Sequence, residues 1–259
     1  MGSNDARGSA VPGHTVALTM SVIVCAYNEA GYLQRCLESL LSQSRPPDEI
    51  LVVNNASTDN TPRIARSLGV RVVDEPRKGL VRARETGRLE SSGAVLVYVD
   101  ADCRAPREWL RRVERRFLRR PDLVALSGPY RFYDWDWIGR VLVTAYDYTL
   151  APLTQLVVYR LLRAGTLFYG GNFAVTRSAL TAIGGFDTTI EFHGEDTNLG
   201  RRLVAVGPVA MARECWLETS ARRYRAMGKR AVFRLYVRNF WSEIVHHRPK
   251  DTDHLDVRI

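Results

Sequence analysis

Asp100-Ala101-Asp102 places two carboxylates directly after a short apolar run, residues 95–99. A run that ends abruptly in acids is typical of a buried strand that delivers its last side chains to the edge of a sheet. In open α/β sheets, ligands bind at that edge. Two carboxylates one residue apart can share a divalent cation, which often also binds substrate phosphates. The pattern therefore favours metal-assisted chemistry on a phosphorylated substrate, and its alternative is a pair of acids that cap the next helix.

The apolar runs of the first half alternate with segments of helical periodicity. Strands are expected at residues 20–26, 50–53, 70–73 and 95–99, with helices between them. This alternation predicts a mostly parallel sheet covered by helices on both faces, and right-handed crossovers place the carboxyl ends of its strands on one edge. The polar segments expected to meet there are Tyr27-Asn28-Glu29, residues 54–59, Arg77-Lys78-Gly79 and Asp100-Ala101-Asp102.

Sequence blocks in a fixed order now carry a resemblance. They are residues 21–29, 54–61, 99–102 and 194–199, with residues 170–173 and 184–187 in the gap. Together they resemble family 2 glycosyltransferases, the inverting enzymes of the GT-A fold, over roughly residues 20–217. The resemblance implies an α/β fold with a mostly parallel central sheet flanked by helices, followed here by a helical C-terminal extension.

The expected organisation follows from that resemblance. Residues 1–19 are expected to be a flexible N-terminal segment, and residues 20–217 a GT-A domain. Within the domain, residues 20–102 would form the nucleotide-binding half and residues 103–217 the acceptor-binding half. Residues 218–259 would form an amphipathic helical extension with a loose polar tail.

The resemblance implies a nucleotide-sugar donor, usually a UDP-sugar, and a divalent metal, Mn²⁺ or Mg²⁺. Asp102 and Asp100 would hold the metal, and Asp100 would also lie against the nucleotide. The nucleoside pocket would be lined by Ala26, Tyr27 and Glu29, with Asn55 beside the base. Many relatives have acids at the position of Asn54-Asn55, and an amide lacks their charge, so the identity of the base stays open.

Basic residues after the third strand could bind the diphosphate. A sugar-diphosphate leaving group gains negative charge as the glycosidic bond breaks, and a metal would neutralise that charge as a Lewis acid. Arg77 and Lys78 could add positive charge, as could Arg82 or Arg84 one turn later. The alternative is a solvated basic face of a helix.

Inversion in a single displacement needs a base for the proton of the acceptor hydroxyl. The resemblance makes Asp196 the candidate, with Glu195 as the second choice. The alternative role for both acids is to stabilise the N-terminus of the following helix. His193 lies close and could titrate near neutral pH. Gly170-Gly171 would let the backbone approach the sugar, so Gly171 and Asn172 are candidates for contacts with the donor sugar or the acceptor.

Composition limits the partners and the compartment. The 259 residues carry a net charge of +9, which favours an anionic partner: a nucleotide phosphate, an anionic membrane or a nucleic acid. Since no recognisable nucleic-acid motif is present, a nucleic-acid partner is not expected. The cysteines are scattered without a CxxC pair, which indicates neither a zinc site nor a disulfide framework and favours a cytoplasmic setting.

Two segments of the second half could reach a membrane. Residues 141–159 are apolar but are interrupted by Asp147, Pro152 and Gln155, so packing against the sheet or forming an acceptor wall is the favoured interpretation, and a membrane-facing surface is the alternative. Residues 229–245 form a basic amphipathic pattern that fits an ordinary surface helix or one lying on an anionic membrane. The acceptor is then a glycan or a lipid-linked sugar, and peripheral contact with the inner face of the cell membrane stays open.

Two other functions compete with a transferase. A sugar nucleotidyltransferase shares the α/β layout and paired acids, but such enzymes have a Gly-rich, Arg-containing loop where this chain reads Cys25-Ala26-Tyr27-Asn28-Glu29. A basic membrane- or nucleic-acid-binding module with a degenerate transferase fold fits the charge, because phosphate contacts are largely independent of sequence. It leaves the ordered acidic blocks unexplained.

Overall fold

The structure is a computed structural model that describes residues 18–161, 165–190 and 194–246. The expectations for most of the N-terminal segment, for His193 and for the polar tail therefore lie outside the described residues.

The central sheet has seven strands in the order β3-β2-β1-β4-β7-β5-β8. Its pairs are parallel except those that β7 makes with β4 and β5. The strands are β1 Met20–Ala26, β2 Glu49–Asn54, β3 Arg71–Asp74, β4 Val95–Asp100, β5 Ala125–Ser127, β7 Asn172–Thr176 and β8 Val209–Met211. The mostly parallel sheet predicted from the sequence is confirmed.

A second sheet pairs β6 Tyr130–Phe132 with β9 Leu217–Thr219 in parallel. The helices are α1 Leu33–Leu41, α2 Thr61–Ser67, α3 Leu80–Glu90, α4 Trp109–Arg119, α5 Trp137–Tyr148, α6 Leu150–Gln155, α7 Arg177–Ala182, α8 Glu195–Val204, α9 Arg222–Met227 and α10 Lys229–His246, and Leu156–Leu161 forms a π-helical turn after α6. The domain boundary expected after residue 217 falls inside β9, so residues 218 and 219 belong to the second sheet rather than to an extension.

Alternate residues of the central strands feed two cores on opposite faces of the sheet. On one face, the even-numbered residues of β1 and the odd-numbered apolar residues of β4 meet α1 and α4. On the other face, Ile23, Leu96 and Tyr98 meet α3, α7 and α8. A strand that is buried on both sides must be apolar along its whole length, which is why these runs are continuous rather than alternating. Polar residues are displaced to the strand ends.

The strand register brings those ends into line. Cys25 lies opposite Asp100, and Ala26 lies opposite Asn54. The antiparallel strand β7 enters at the same edge, since Asn172 lies opposite Val99. The convergence predicted for the parallel strand ends is therefore confirmed, and β7 adds the segment around residues 170–172.

The segment Trp137–Leu161 departs from its favoured interpretation. Pro152 has no N–H group and cannot donate a hydrogen bond to the carbonyl group of Tyr148. Helix α5 accordingly ends at Tyr148, before α6 begins. Ala151 and Val158 are buried, but most of the large apolar side chains of the segment are exposed, so residues 141–159 pack against the protein on one side only. The acceptor wall stays a prediction. Among the described residues it is the one helical segment long and apolar enough to cross a membrane by length and composition alone.

Candidate active site

The loops after β1 and β2 are fastened to one another by side chains. The Glu29 N–H donates to Thr61 Oγ1 at 2.8 Å, and the Ala30 N–H donates to Asp59 Oδ2 at 3.1 Å. In return the Thr58 N–H donates to Asn28 Oδ1 at 2.8 Å. Asn28 takes a positive φ of 51°, a conformation that asparagine tolerates better than most residues. The polar residues of segment 54–61 thus hold the loop that carries Tyr27 and Glu29.

Asn55 has a different role from the one expected beside the base. Its side chain is buried, and its amide nitrogen donates to the carbonyl groups of Glu75 at 3.2 Å and Arg77 at 2.8 Å. Its oxygen accepts the Gly79 N–H at 2.8 Å, while its backbone N–H donates to the Ala26 carbonyl group. Asn55 therefore fixes the loop between β3 and α3, and its amide hydrogens are both used within the protein.

That loop carries the first basic candidates. Lys78 Nζ lies 3.9 Å from the ring centroid of Tyr27. The Arg77 side chain is 70% exposed and its Nε pairs with Glu75 at 3.1 Å. Both cations therefore lie beside the strand edge as expected. The structure leaves their contact with a nucleotide as a prediction.

Arg222 is the residue that sequence reasoning missed. Its guanidinium group donates to both carboxylate oxygens of Glu29, at 2.6 and 2.8 Å, and its Nε lies 3.0 Å from Asp102 Oδ2. Both acids are buried, and Thr219 Oγ1 donates to Asp102 at 3.3 Å. Arg222 begins a helix in a basic stretch that reads like a surface, so the sequence offers no signal for this contact. The residue joins the end of β1 to the end of β4.

The chemistry of Asp102 and its neighbour Asp100 fits a divalent cation. The pKa of Asp102 is raised to about 7, chiefly by burial; Asp100 and Glu29 also raise it, whereas Arg222 and the hydrogen bond from Thr219 lower it. A buried carboxylate with such neighbours gains from a cation, and Mn²⁺ and Mg²⁺ prefer oxygen ligands. Among the described residues no group of three or more His, Cys, Asp or Glu could hold a metal, so a cation at Asp100 and Asp102 would need further ligands from outside the protein.

Gly171 makes room for Asp100. A Cβ atom added to Gly171 would lie 1.9 Å from Asp100 Oδ2, a separation that no side chain can adopt. The Asp100 N–H donates to the Gly171 carbonyl group at 3.2 Å. The close approach of backbone predicted for Gly170-Gly171 is thus directed at the Asp100 carboxylate.

The second pair of acids, Glu195 and Asp196, lies against the neighbouring glycine, Gly170. A Cβ atom added to Gly170 would lie 3.2 Å from Asp196 Cβ and 3.2 Å from an Arg84 nitrogen. Arg84 is 3% exposed, donates to the Gly170 carbonyl group at 2.6 Å and lies 3.5 Å from Glu195 Oε1. The alternative of a solvated helix face is therefore wrong for Arg84, which is held among carboxylates. Its candidate contact with the nucleotide stays a prediction.

Asp196 lies in the first turn of α8. Its Oδ1 accepts the Thr197 N–H at 2.7 Å. Burial and the neighbouring Glu195 carboxylate raise the pKa of Asp196 to about 7, although the Thr197 N–H and Arg84 act in the opposite direction. A carboxyl group with this pKa is half deprotonated near neutral pH, which suits a general base.

Asn172 is not available to a sugar hydroxyl group through its amide nitrogen. That nitrogen donates to the carbonyl groups of Gly128 at 3.0 Å, Pro129 at 3.2 Å and Cys215 at 2.8 Å, and the residue is 1% exposed. The side chain joins β7 to the turn after β5 and to the loop before β9. Of the two sugar candidates, Gly171 lies at the acids and Asn172 fastens the core beneath them.

Residues 21–184 match the sequence profile of Glycosyl transferase family 2. The chain belongs to this family. It is 40% identical over 101 residues to the glycosyltransferase AglE of Haloferax volcanii, a match that covers 36% of this chain and 33% of AglE. It is 24% identical over 187 residues to the glucosyl-dolichyl phosphate glucuronosyltransferase of the same organism, covering 69% of this chain and 59% of that protein. The matches thus span only part of each relative.

Solved structures show the GT-A fold for this family 2 chain. A mannosyltransferase of Pyrobaculum calidifontis, in complex with GDP-Man and Mn²⁺, superposes with a TM-score of 0.66 at 22% identity, over 92% of this chain and 66% of that one. The glucosyl-3-phosphoglycerate synthase of Mycobacterium tuberculosis, with Mn²⁺, UDP-glucose and phosphoglyceric acid, gives a TM-score of 0.64 at 20% identity, over 92% of this chain and 83% of that one. The fold class expected from the sequence is confirmed.

Replacing Gly171 with alanine is expected to displace the Asp100 carboxylate, because the new methyl group would occupy its position. We expect Mn²⁺-dependent nucleotide affinity, measured by calorimetric titration, to fall about tenfold or more. Gly31→Ala is the matched control, since a Cβ atom there has nothing within 4 Å. Equal affinities for the two variants would contradict a role of the Asp100 carboxylate in metal-dependent nucleotide binding.

Replacing Arg222 with methionine removes the guanidinium group shared by two buried carboxylates. We expect the free energy of unfolding, measured by urea denaturation, to fall by about 3 kcal/mol. Arg66→Met is the control, because Arg66 and Asp74 form an exposed pair 3.6 Å apart, and such pairs contribute about 0–1 kcal/mol. A loss for Arg222→Met no larger than that of the control would show that Arg222 does not hold the strand edge together.

Proposed function

We propose that the protein is an inverting glycosyltransferase that moves a sugar from a nucleoside-diphosphate donor, a UDP-sugar, to an acceptor hydroxyl group. The observation that carries the proposal is that two pairs of acids meet at the adjacent glycines Gly170-Gly171. The Asp100 carboxylate lies against Gly171, and Asp196 lies against Gly170. Asp100 and Asp102 would serve the leaving group, and Asp196 with Glu195 would serve the incoming hydroxyl group, which needs a base.

Asp100 and Asp102 are the residues that would hold Mn²⁺ or Mg²⁺. When bound, the ion supplies Lewis-acid stabilisation of the diphosphate leaving group. Lys78 lies over the Tyr27 ring and could add positive charge there, as could Arg77, while Tyr27 would line the nucleoside pocket. Structural neighbours solved with GDP-Man, UDP-glucose and UDP-GlcNAc support a nucleotide-sugar donor without fixing its base.

Asp196 would take the proton from the acceptor hydroxyl group as the new glycosidic bond forms. Burial and then Glu195 raise the pKa of Asp196 towards neutrality, and Arg84 holds Glu195 and Gly170 in place. Arg84 is thus a positioning residue in this proposal. Its charge also limits the repulsion between the two acid pairs, because Glu195, Asp100 and Asp196 all act on it.

The acceptor in this proposal is a glycan or a lipid-linked sugar, and the protein works in the cytoplasm with peripheral contact at the inner face of the cell membrane. The net charge of +9 supports an anionic surface as a partner. One relative is named as acting on a glucosyl-dolichyl phosphate, which supports a lipid-linked acceptor.

The pairing of Asp102 with Arg222 favours a second candidate function, a degenerate transferase that binds an anion without turnover. In that protein the arginine would replace the metal permanently. The other rival, a sugar nucleotidyltransferase, gains nothing from the geometry, because the loop after β1 is fastened by Asn28, Ser57 and Thr58 rather than built from glycines.

Calorimetric titration with UDP, GDP and dTDP, each with and without Mn²⁺ or Mg²⁺, tests the proposal. We expect one nucleotide to bind in a metal-dependent manner, and Asp102→Ala to weaken that binding at least about tenfold. Asp122→Ala is the control, since the Asp122 side chain is 56% exposed and pairs with Arg120 rather than with either pair of acids. Metal-independent binding that survives Asp102→Ala would favour the degenerate transferase instead.

Asp196→Asn is expected to lower the rate of sugar transfer by about a hundredfold to ten-thousandfold while nucleotide binding is retained. With the base pKa near 7, the wild-type kcat/KM should fall about tenfold per pH unit below that value, because only the deprotonated carboxylate accepts the proton. The residual activity of the variant should lack this limb. A variant with the same pH profile as the wild type would exclude Asp196 as the base.

A further inference from the structure

In the helical segment Trp137–Leu161, the acid and the amide side chain face the protein, and most of the large apolar side chains face outward. Its one acidic residue, Asp147, is 6% exposed and accepts the Tyr169 hydroxyl hydrogen at 2.6 Å. Gln155 also points inward, where its oxygen accepts the Leu167 N–H at 2.9 Å and its nitrogen donates to Thr166 Oγ1 at 2.8 Å. The Asp147 and Gln155 side chains therefore form hydrogen bonds within the protein, whereas a surface helix normally presents such side chains to water.

The opposite side of the segment is apolar and exposed. At the start, Trp137 is 68% exposed and Leu142 59%, and further along Leu153 is 57% and Leu161 70% exposed. The other large apolar side chains of this outer face are Ile138, Val141, Tyr148, Leu150 and Leu156. They recur along α5, α6 and the π-helical turn and form a stripe of exposed apolar side chains. A monomeric soluble protein rarely leaves such a stripe in water.

The charges around the stripe are basic. Arg140 and Arg160 are exposed on the segment itself. The start of α5 is joined to the start of α10 by Asp136 and Lys229, whose charged atoms lie 2.7 Å apart. Helix α10 repeats the same pattern: its acid, Glu243, is fully buried, whereas Arg230, Arg234 and Arg238 are exposed, and Phe233, Val237, Trp241 and Val245 form an exposed apolar row.

We propose that the outer face of Trp137–Leu161 lies on the surface of an anionic phospholipid bilayer, with its apolar side chains in the acyl boundary and the arginines at the headgroups. Apolar side chains flanked by arginines, with no exposed acid on the segment, match what an anionic interface attracts. A second copy of the chain is disfavoured as the occupant, because it would bring two sets of arginines and two net charges of +9 together.

The segment lies along the bilayer rather than across it. Crossing would require Asp147 and Gln155 to leave their partners in residues 166–169 and enter hydrocarbon, which is costly for polar groups. The same contacts tie the segment to the active site, since Tyr169 is followed directly by Gly170-Gly171. This inference rests on the proposed function in one respect: it places the acceptor hydroxyl group at a lipid surface.

Vesicle flotation of the full chain tests the proposal, with phosphatidylcholine vesicles and phosphatidylcholine–phosphatidylglycerol vesicles as probes. We expect binding to the anionic vesicles that weakens with salt, and a loss of about tenfold or more for the double variant Leu142→Glu with Leu153→Glu. The control is Leu89→Glu with Leu118→Glu, which places the same charges on residues that are 64% and 55% exposed on α3 and α4. Leu142→Ala with Leu153→Ala gives a milder loss if the glutamates impair folding.

Absence of wild-type binding to anionic vesicles, or equal binding by all variants, would overturn the proposal. So would a wild-type dimer in light scattering that Leu142→Glu with Leu153→Glu converts to a monomer, since a second copy would then cover the face. Nucleotide titration of the same samples separates the two proposals. Retained nucleotide binding without vesicle binding would contradict only the proposed membrane-binding face. Vesicle binding without any nucleotide binding would contradict the proposed transferase.

Discussion

The carboxylates at one edge of the sheet repel one another, and the structure has to offset this repulsion. Glu29, Asp100 and Asp102 follow β1 and β4, and Glu195 and Asp196 begin α8. Like charges at close range cannot all stay ionised in a buried site unless cations offset them. Arg222 lies between the first acids and Arg84 lies among the others. Burial first, and the neighbouring carboxylates after it, raise the pKa values of Asp102 and Asp196 to about 7, and the arginines oppose this rise only in part.

The strand ends of this site could be predicted from the sequence because they follow from local patterns. Continuous apolar runs indicate the buried strands, and their alternation with helices indicates that the strands are parallel. The meeting of Ala26, Asn54 and Asp100 could therefore be predicted from these patterns alone. The acids of α8 came from the resemblance, because no periodicity links residue 196 to residue 100. Their neighbourhood depends on β7 entering antiparallel at the same edge.

The predictions that differ from the structure share another cause: the sequence does not determine the direction in which a side chain points. Asn55 and Asn172 are polar residues at the correct edge, yet their amides turn towards backbone carbonyl groups that would otherwise be buried without partners. The segment 137–161 is apolar with a few polar interruptions, and composition cannot tell whether the apolar side or the interruptions face the protein. Only the hydrogen bonds of Asp147 and Gln155 decide it.

The contact between Arg222 and Glu29 joins residues 193 positions apart in the chain. Contacts of such long separation close large loops and tend to form late, after local helices and neighbouring strands. A nascent chain that has completed β1 to β4 therefore already carries Glu29 and Asp102 without their counter-charge. The edge formed by the ends of β1 and β4 is therefore expected to stay loosely held until α9 has been synthesised, so that Glu29 and Asp102 gain their counter-charge only after residue 222 has been added.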